Sequence, residues 1–332
     1  MTRRVSPLSL LCLGPLALGL SQCGGTSAGT DDAAGGGGAG VGVGVGGSAT
    51  GGAVSGVGGS SAGGSGGTGS GGTGTGGSTT GDPTRQEIFH ASFTAAQVGA
   101  YAAADVAADF GSAPPWNDGL NQGRASIVDE AGEKFLRVNY PAGQYGPSKG
   151  GVQFIVDLGG SYDELFFSYR VRFAAGFDFV QGGKLPGLVG GTNPSGCSPK
   201  KDGFSARNMW RTGGNAVQYV YWPNQPNTCG DNLNYKSSGS NLPFTTGIWH
   251  TVEHRIVMNT PGTPDGVLQA WFDGELVLDD SARLWRLTGA TFGIDSLSFS
   301  TFFGGGDASW APAAAQVADF DDLIVADKAI SH

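Results

Sequence analysis

Histidine and cysteine, which supply most zinc ligands in proteins, are scarce in this chain. Its 332 residues contain four of each. Cys12 and Cys23 fall near the N-terminus, which leaves Cys197 and Cys229 for the rest of the chain. Neither of these has a histidine or a further cysteine at the spacing of a zinc site. We therefore expect no metal ion and no cofactor.

Positive charge is also scarce, with 19 lysine and arginine residues against 28 aspartate and glutamate residues. A nucleic-acid-binding domain normally carries a basic excess, so we expect no nucleic-acid partner. Residues 149–236 reverse the balance, with nine basic and six acidic side chains. An acidic body with a basic middle suits an exported protein that binds a polyanion. Random variation on an acidic surface explains the same pattern equally well.

Long apolar runs are missing apart from one near the N-terminus. Arg3 and Arg4 precede a short apolar run, Leu8–Leu20, which is too short to span a bilayer. This pattern predicts a secretory signal peptide over residues 1–23.

The end of that segment, Leu-Ser-Gln-Cys, resembles the lipobox of bacterial lipoproteins, in which Cys23 would become the lipidated N-terminus. Gln22 replaces the small residue usual before that cysteine, so cleavage without lipidation is the alternative. We expect an exported protein at the cell surface or outer membrane, or else a secreted one. Any membrane contact would be through this lipid.

Residues 24–82 have the composition of a disordered tether. Glycine fills 28 of the 58 positions from 24 to 81, and Asp31 and Asp32 are their only charged residues. Such a segment cannot bury enough apolar surface to offset the entropy lost on folding. One domain, residues 83–332, should follow, and we expect it to be a monomer.

Apolar and polar residues alternate in several segments of that domain, notably 166–173, 250–258 and 295–303. A period of two predicts half-buried strands. Many such strands predict an all-β fold, a two-sheet antiparallel sandwich or jelly roll. Asp273-Gly274 predicts a two-residue hairpin turn, and the alanine-rich residues 93–111 predict one helix or two short ones.

Export also predicts a disulfide between Cys197 and Cys229. By the chain-entropy treatment it would contribute roughly 3–4 kcal/mol to stability. Two free or metal-bound thiols are the alternative.

Lys184 occupies an unusual position, among glycines and apolar residues in FDFVQGGKLPGLVGG. An ammonium group there needs a partner. The period of two also places polar side chains on shared faces of two later segments: Ser205, Arg207 and Arg211 in the first, Tyr219 and Tyr221 in the second. The two rows could line one groove if they face the same side.

Seven segments between Gln144 and Lys328 resemble, in order and spacing, polysaccharide lyase family 14, the jelly-roll alginate and polyuronate lyases. They are GGKLPGL, GFSARNMWR, YVYWP, GIWHTVEHRI, LQAWFDGELV, STFFGGGDASWAP and ADFDDLIV. The resemblance implies a jelly roll that cleaves a uronate polysaccharide, of alginate or glucuronan type, by β-elimination. Its partner would be an acidic polysaccharide.

The family's active groove is lined by the lysine of KLPG, the serine and arginine of S-x-R and the tyrosines of Y-x-Y. The resemblance thus implies catalytic roles for Lys184, Tyr219 and Tyr221, and substrate binding by Ser205 and Arg207, to which we add Arg211. Val189, Asn208 and Trp222 depart from the residues expected at their positions. These departures leave open which substrate is bound, but not the type of reaction.

β-Elimination needs a group that neutralises the sugar carboxylate, a base and an acid. The guanidinium of Arg207 can hold a carboxylate in a two-pronged contact. Lysine and tyrosine have ordinary pKa values near 10, so Lys184 and the tyrosines become useful bases only where burial or nearby cations lower those values.

Structural roles are open for most of these side chains. The tyrosines could simply pack a strand face, Arg207 could pair with Asp202, and His254 and His250 suit a core better than a catalytic site. Three carboxylates could hold a structural calcium, although the acidic end of a last strand is usually solvated: Asp319, Asp321 and Asp322. A non-catalytic carbohydrate-binding module is the rival function, because jelly rolls serve both purposes.

Mass spectrometry of membrane-extracted protein tests the anchor. We expect an acylated N-terminal Cys23, because the preceding residues resemble a lipobox. The Cys23→Ser variant is the control, since serine lacks the thiol that carries the lipid. An unmodified N-terminus at another residue in the wild-type protein would contradict lipidation.

Overall fold

A computed structural model of the chain describes residues 85–330. The predicted signal peptide (1–23), the lipidation site Cys23 and the predicted tether (24–82) lie outside the described residues. In the described part, no helix combines the length and the apolar character needed to cross a membrane.

Strands account for nearly all of the regular structure. In chain order the elements are β1 (Glu87–Ala91), β2 (Gly99–Ala100), α1 (Ala103–Phe110), β3 (Asn117–Asp118), β4 (Ala125–Glu130), β5 (Glu133–Tyr140), β6 (Gly151–Tyr162), β7 (Glu164–Phe173), β8 (Gly182–Gly191), β9 (Gly203–Arg211), a 3₁₀ turn (Thr212–Gly214), β10 (Ala216–Tyr221), β11 (Asp231–Asn234), β12 (Lys236–Ser237), β13 (Ser240–Asn241), β14 (Trp249–Val257), β15 (Gly266–Phe272), β16 (Glu275–Arg283), β17 (Ile294–Phe303), a second 3₁₀ turn (Ala308–Trp310) and β18 (Gln316–Ala326).

The strands form two antiparallel sheets and a small separate pair, β12–β13. Sheet A has nine strands in the order β16-β15-β14-β7-β18-β5-β4-β2, with β1 beside β18. Sheet B has seven, in the order β11-β10-β9-β8-β17-β6-β3. Neighbours that are distant in sequence, such as β8 and β17, show that the chain crosses repeatedly between the sheets. The predicted two-sheet antiparallel jelly roll is confirmed.

The core lies between the two sheets and is rich in aromatic rings. Phe299 of sheet B meets Phe320 of sheet A with ring centroids 5.3 Å apart, and Trp210 meets Phe173 at 5.4 Å. All four side chains are fully buried. Aromatic side chains contribute large apolar areas and favour such edge-on contacts, so these pairs hold the sheets face to face.

The predicted hairpin at Asp273-Gly274 is confirmed, since it joins β15 to β16 and both residues have positive φ, 52° and 83°. Two consecutive positive φ values define the hairpin turn that asparagine or aspartate followed by glycine favours.

The helix predicted over residues 93–111 is confirmed only at Ala103–Phe110. Gly99 has φ 131° and begins β2, which pairs with β4. In the helical part, Val106 and Phe110 lie one turn apart and are both buried. The helix tendency of this alanine-rich segment is therefore overridden where its backbone pairs with a strand of the sheet.

The three carboxylates considered above for a calcium site pair with basic side chains. They are Asp319, Asp321 and Asp322. Asp319 accepts hydrogen bonds from Arg137 and Arg172 at 2.7 Å. No cluster of three metal-binding side chains suited to an ion occurs within residues 85–330.

The two histidines considered above, His254 and His250, have structural environments. His254 is fully buried, and its Nε2 accepts a hydrogen bond from the Leu188 N–H at 3.3 Å. Burial lowers the pKa of His254 to about 3. His250 contacts Asp273 at 2.8 Å, beside the hairpin turn.

Candidate active site

The two faces of sheet B differ in character. Phe204, Ala206 and Trp210 of β9 point into the core. Ser205, Arg207 and Met209, which alternate with them, belong to the opposite face, where Met209 packs in a separate cluster with Val217, Tyr219 and Tyr221 of β10. This outward side of sheet B is called the site face below.

Strand register brings the predicted residues together on the site face. Three cross-strand neighbours result: Lys184 beside Met209, Arg207 beside Tyr219, and Ser205 beside Tyr221. The guanidinium of Arg211 lies 5.5 Å from the centre of the Tyr219 ring. The two polar rows that the sequence predicts on separate strands therefore do face the same side.

Lys184 lies just before an irregularity in β8, between Lys184 and Gly187. Its Nζ is 3.9 Å from the centre of the Tyr219 ring and 2.9 Å from Sδ of Met209. Both contacts are weaker than the ion pair that a carboxylate would form with this ammonium group. Burial, followed by the nearby charges of Arg207 and Arg211, holds the pKa of Lys184 well below its ordinary value.

Arg207 is 5 % exposed, and its Nε and Nη2 atoms are buried without a hydrogen-bond partner. The pairing with Asp202 considered above is not formed, and that carboxylate instead accepts a hydrogen bond from Thr192 at 2.9 Å. Burial lowers the pKa of Arg207. A buried guanidinium with two unused donors is costly, and an anion that entered the site would satisfy both.

Arg211 is held by a side chain that the sequence did not indicate. Its Nε donates to Oδ1 of Asn232 at 2.9 Å, and its guanidinium lies 5.9 Å from the centre of the Trp310 ring. Burial lowers the pKa of Arg211. Trp310 belongs to a segment of the family resemblance, whereas nothing in the sequence marks Asn232.

Three cations therefore share the site face, and none of them forms an ion pair with a described residue. Two cavities elsewhere differ in this respect. One of 440 Å³, beside Trp222, contains the ion pair Arg283–Asp280 at 2.7 Å. The other, of 250 Å³, contains Arg137 and Arg172, both paired with Asp319. Uncompensated positive charge thus distinguishes the site face from these cavities.

Tyr219 and Tyr221 are 6 % and 1 % exposed, and their hydroxyl oxygens lie 3.4 Å apart. Each hydroxyl also accepts a backbone hydrogen bond: Tyr221 from Cys197 at 2.9 Å, Tyr219 from Gly230 at 3.0 Å. Burial raises the pKa of Tyr219, and the Gly230 N–H and the charge of Arg211 oppose that rise.

The predicted disulfide between Cys197 and Cys229 is confirmed. It joins the loop between β8 and β9 to the loop between β10 and β11, beside both tyrosines.

Ser205 is fully buried, and its hydroxyl donates to the Pro194 carbonyl at 2.8 Å. Its proton is therefore engaged by the loop between β8 and β9. A substrate-binding role for Ser205 stays a prediction.

The three unexpected residues take different positions. Asn208 points to the core side, where it donates to the Pro186 carbonyl at 3.2 Å and accepts from the Tyr235 hydroxyl. Trp222 lies beyond the end of β10 and donates to Asp231 at 2.6 Å. Val189 is 1 % exposed and lies beside Ser205. Of the three, Val189 is the one whose cross-strand neighbour is a predicted site residue.

Residues 128–323 match the family Polysaccharide lyase 14. This range covers more than half of the chain, so the protein belongs to that family and is a polysaccharide lyase. No curated protein matches the sequence.

Solved structures of alginate lyases share the fold. Alginate lyase Aly36B is 29 % identical, with a TM-score of 0.63 over 74 % of this chain and 98 % of its own. The PL-14 alginate lyase from Aplysia kurodai is 25 % identical, with a TM-score of 0.61 over 72 % and 98 % of the two chains. Alginate lyase vAL-1 from Chlorella virus, at 22 % identity and a TM-score of 0.57 over 70 % and 100 %, is similar in fold.

The depressed pKa of Lys184 can be measured without substrate. In an NMR titration of the lysine side chains, assigned with Lys184→Met, we expect Lys184 to lose its proton at lower pH than the other lysines. Arg211→Gln removes one of the two nearby cations and should raise the pKa of Lys184. Arg255→Gln, whose guanidinium pairs with Glu164 on sheet A, is the matched control. Titration of Lys184 together with the other lysines would contradict the burial and charge effects described here.

Proposed function

We propose that this lyase cleaves a polyuronate of the alginate type by β-elimination, on the site face of sheet B. The observation that carries the proposal is Arg207, a buried guanidinium with two unused donors and no acidic partner among the described residues. A sugar carboxylate has the charge and the paired oxygens that this group lacks.

Two relatives support the choice of polymer. Aly36B variants have been solved in complex with an alginate trisaccharide and with an alginate tetrasaccharide. The Aplysia kurodai relative is also an alginate lyase. We therefore place alginate before other polyuronates, including glucuronan.

Arg207 and Arg211 would bind the substrate carboxylate. In the reaction, the ring carbon beside the carboxylate loses its proton, and negative charge spreads onto the carboxylate oxygens. A contact that strengthens as this charge develops lowers the barrier and not only the dissociation constant. Ser205 belongs to the same proposed set, and it could donate to a sugar oxygen only if its hydroxyl left the Pro194 carbonyl.

Lys184 suits the base. Its depressed pKa increases the fraction of neutral amine at a given pH, and a neutral amine can accept the proton of the sugar carbon. The amine must give up its contacts with Met209 and the Tyr219 ring to do so, and both contacts are weak.

Tyr219 and Tyr221 suit the acid. When the base removes the proton, the electrons of that C–H bond form a double bond to the neighbouring ring carbon. The bond from that carbon to the glycosidic oxygen breaks, and the oxygen leaves with the electron pair. A phenol proton from the pair would neutralise it, and product release would be followed by return of the proton from Lys184 or solvent.

We further propose that the protein is exported, at the cell surface through lipid on Cys23 or secreted, and that it acts as a monomer. The disulfide between Cys197 and Cys229 supports export, because such bonds persist mainly in oxidising compartments.

The reaction creates an unsaturated sugar end, so it can be followed by the ultraviolet absorbance of that product. We expect wild-type protein to release this product from alginate. Lys184→Arg keeps the positive charge but cannot supply a neutral amine, and it should lower kcat by a factor of roughly 10² to 10⁴. Tyr221→Phe, which removes only a hydroxyl, should lower kcat with little change in KM if that group donates the proton.

Arg207→Ala should lower kcat and raise KM together, because the carboxylate is present in both the ground state and the transition state. Arg255→Gln on sheet A is the control and should match the wild type. Retention in alginate-loaded gels without unsaturated product from any polyuronate would contradict the proposal and favour a binding role. Product from glucuronan and not from alginate would contradict the choice of polymer.

A further inference from the structure

Two loops that enclose the tyrosines are joined covalently. Residues 192–202 connect β8 to β9, residues 222–230 connect β10 to β11, and the disulfide between Cys197 and Cys229 ties them together. These two segments are called the roof loops. Their significance rests on the proposed function, in which the tyrosine pair transfers a proton.

Each roof loop contributes one backbone N–H to one phenol oxygen. Cys197 donates to Tyr221 at 2.9 Å, and Gly230 donates to Tyr219 at 3.0 Å. One donor is a cysteine of the disulfide, and the other directly follows its partner, Cys229. The covalent bond therefore holds both donors beside the phenol oxygens.

The backbone at Gly230 lies so close to the rings of Tyr219 and Tyr221 that it favours glycine. A Cβ atom there would lie 2.9 Å from Cζ of Tyr219 and 2.9 Å from Cε2 of Tyr221, which is closer than real Cβ contacts allow. Only glycine lets the backbone come near enough to donate its N–H. Cys197 has a left-handed backbone, φ 59°, which is rarely adopted by residues with a side chain.

A buried glutamine stabilises the second roof loop from within. The Gln225 side chain is 8 % exposed and donates to the carbonyls of Asn227 and Cys229 at 2.7 and 2.9 Å. Its Oε1 accepts the Trp222 N–H at 3.0 Å. These contacts fix the peptide immediately before the Gly230 N–H.

The hydrogen bonds leave one phenol proton unused. Both phenol oxygens accept a backbone N–H, so each hydroxyl must direct its own proton elsewhere. One proton can lie between Tyr219 and Tyr221, whose oxygens are 3.4 Å apart. The second has no acceptor among the described residues and is available to a substrate oxygen.

We propose that the roof loops are positioning elements for the lyase reaction. The N–H groups of Cys197 and Gly230 orient the Tyr221 and Tyr219 hydroxyls so that one proton faces the substrate. They also stabilise the negative oxygen that remains after the proton has been donated, as backbone donors do in an oxyanion hole.

A variant with Cys197→Ala and Cys229→Ala tests the covalent tie. Loss of the positioned donors should lower kcat about tenfold with KM within a factor of two. The limb of the pH–rate profile that belongs to Tyr219 should move to higher pH, because its phenolate loses the hydrogen bond from Gly230. A lower kcat with that limb unmoved would overturn the proposal.

Gln225→Ala provides a second route that keeps the disulfide intact if the double variant does not fold. It should loosen the Gly230 donor while leaving the Cys197 donor in place. The limb should then move in a Tyr221→Phe background, where Tyr219 remains, and stay unchanged in a Tyr219→Phe background. If the limb behaved the same way in both backgrounds, the N–H groups of Cys197 and Gly230 would not act on separate hydroxyls, contrary to the proposal.

Val277→Ala, a buried substitution on sheet A, controls for lost stability and should leave the pH profile unchanged. Incorporated fluorotyrosine, which is more acidic than tyrosine, allows Tyr219 to be titrated by ultraviolet absorbance without substrate. Severing the disulfide should raise the pKa of Tyr219, because the Gly230 N–H opposes the rise caused by burial, and an unchanged value would overturn the proposal. A wild-type protein that forms no unsaturated product would instead refute the proposed function, and the titration would still test the roof loops.

Discussion

The arrangement of the site depends on positive charge that the protein itself does not neutralise. Lys184, Arg207 and Arg211 lie together on one face of a β-sheet, buried or half-buried and without an acidic partner among the described residues. Burying unpaired cations is costly, so a fold retains them only where something else compensates. A polyanionic substrate would supply that compensation, and the same cost would lower the pKa of Lys184 toward the range in which an amine acts as a base.

The rest of the fold holds this face in place. On the opposite side of β9, Trp210 and its aromatic neighbours fill the core, so the strand that carries Arg207 cannot rotate. On the outer side, the disulfide-tied loops meet both phenol oxygens. Rigid strands and tied loops together reduce the reorganisation needed during the reaction. Such preorganisation is the main source of electrostatic catalysis.

Local patterns predicted the strands, because a period of two determines which residues share a strand face. The roles of the candidate side chains came from the resemblance to the lyase family. The hairpin at Asp273-Gly274 was predictable for another local reason, the preference of Asp-Gly for a two-residue turn. Whether the Arg207 row and the Tyr219 row face the same side depends on pairing between strands, which no local pattern encodes. Asn232 and the N–H of Gly230 were not foreseen, since one is an ordinary polar residue and the other belongs to the backbone. The helix was overpredicted because alanine content says nothing about recruitment into a sheet.

Calorimetry with an oligouronate and its carboxyl-reduced counterpart tests most directly whether the unpaired cations bind the carboxylate. The Lys184→Arg variant serves as the host, because it keeps the charge and should not cleave the ligand. We expect reduction of the carboxylates to weaken binding by roughly ten- to a hundredfold in this host. The loss should become smaller when Arg207→Ala is added, because only Arg211 then remains to hold the carboxylate. An equal loss with and without Arg207 would show that the carboxylate is bound elsewhere.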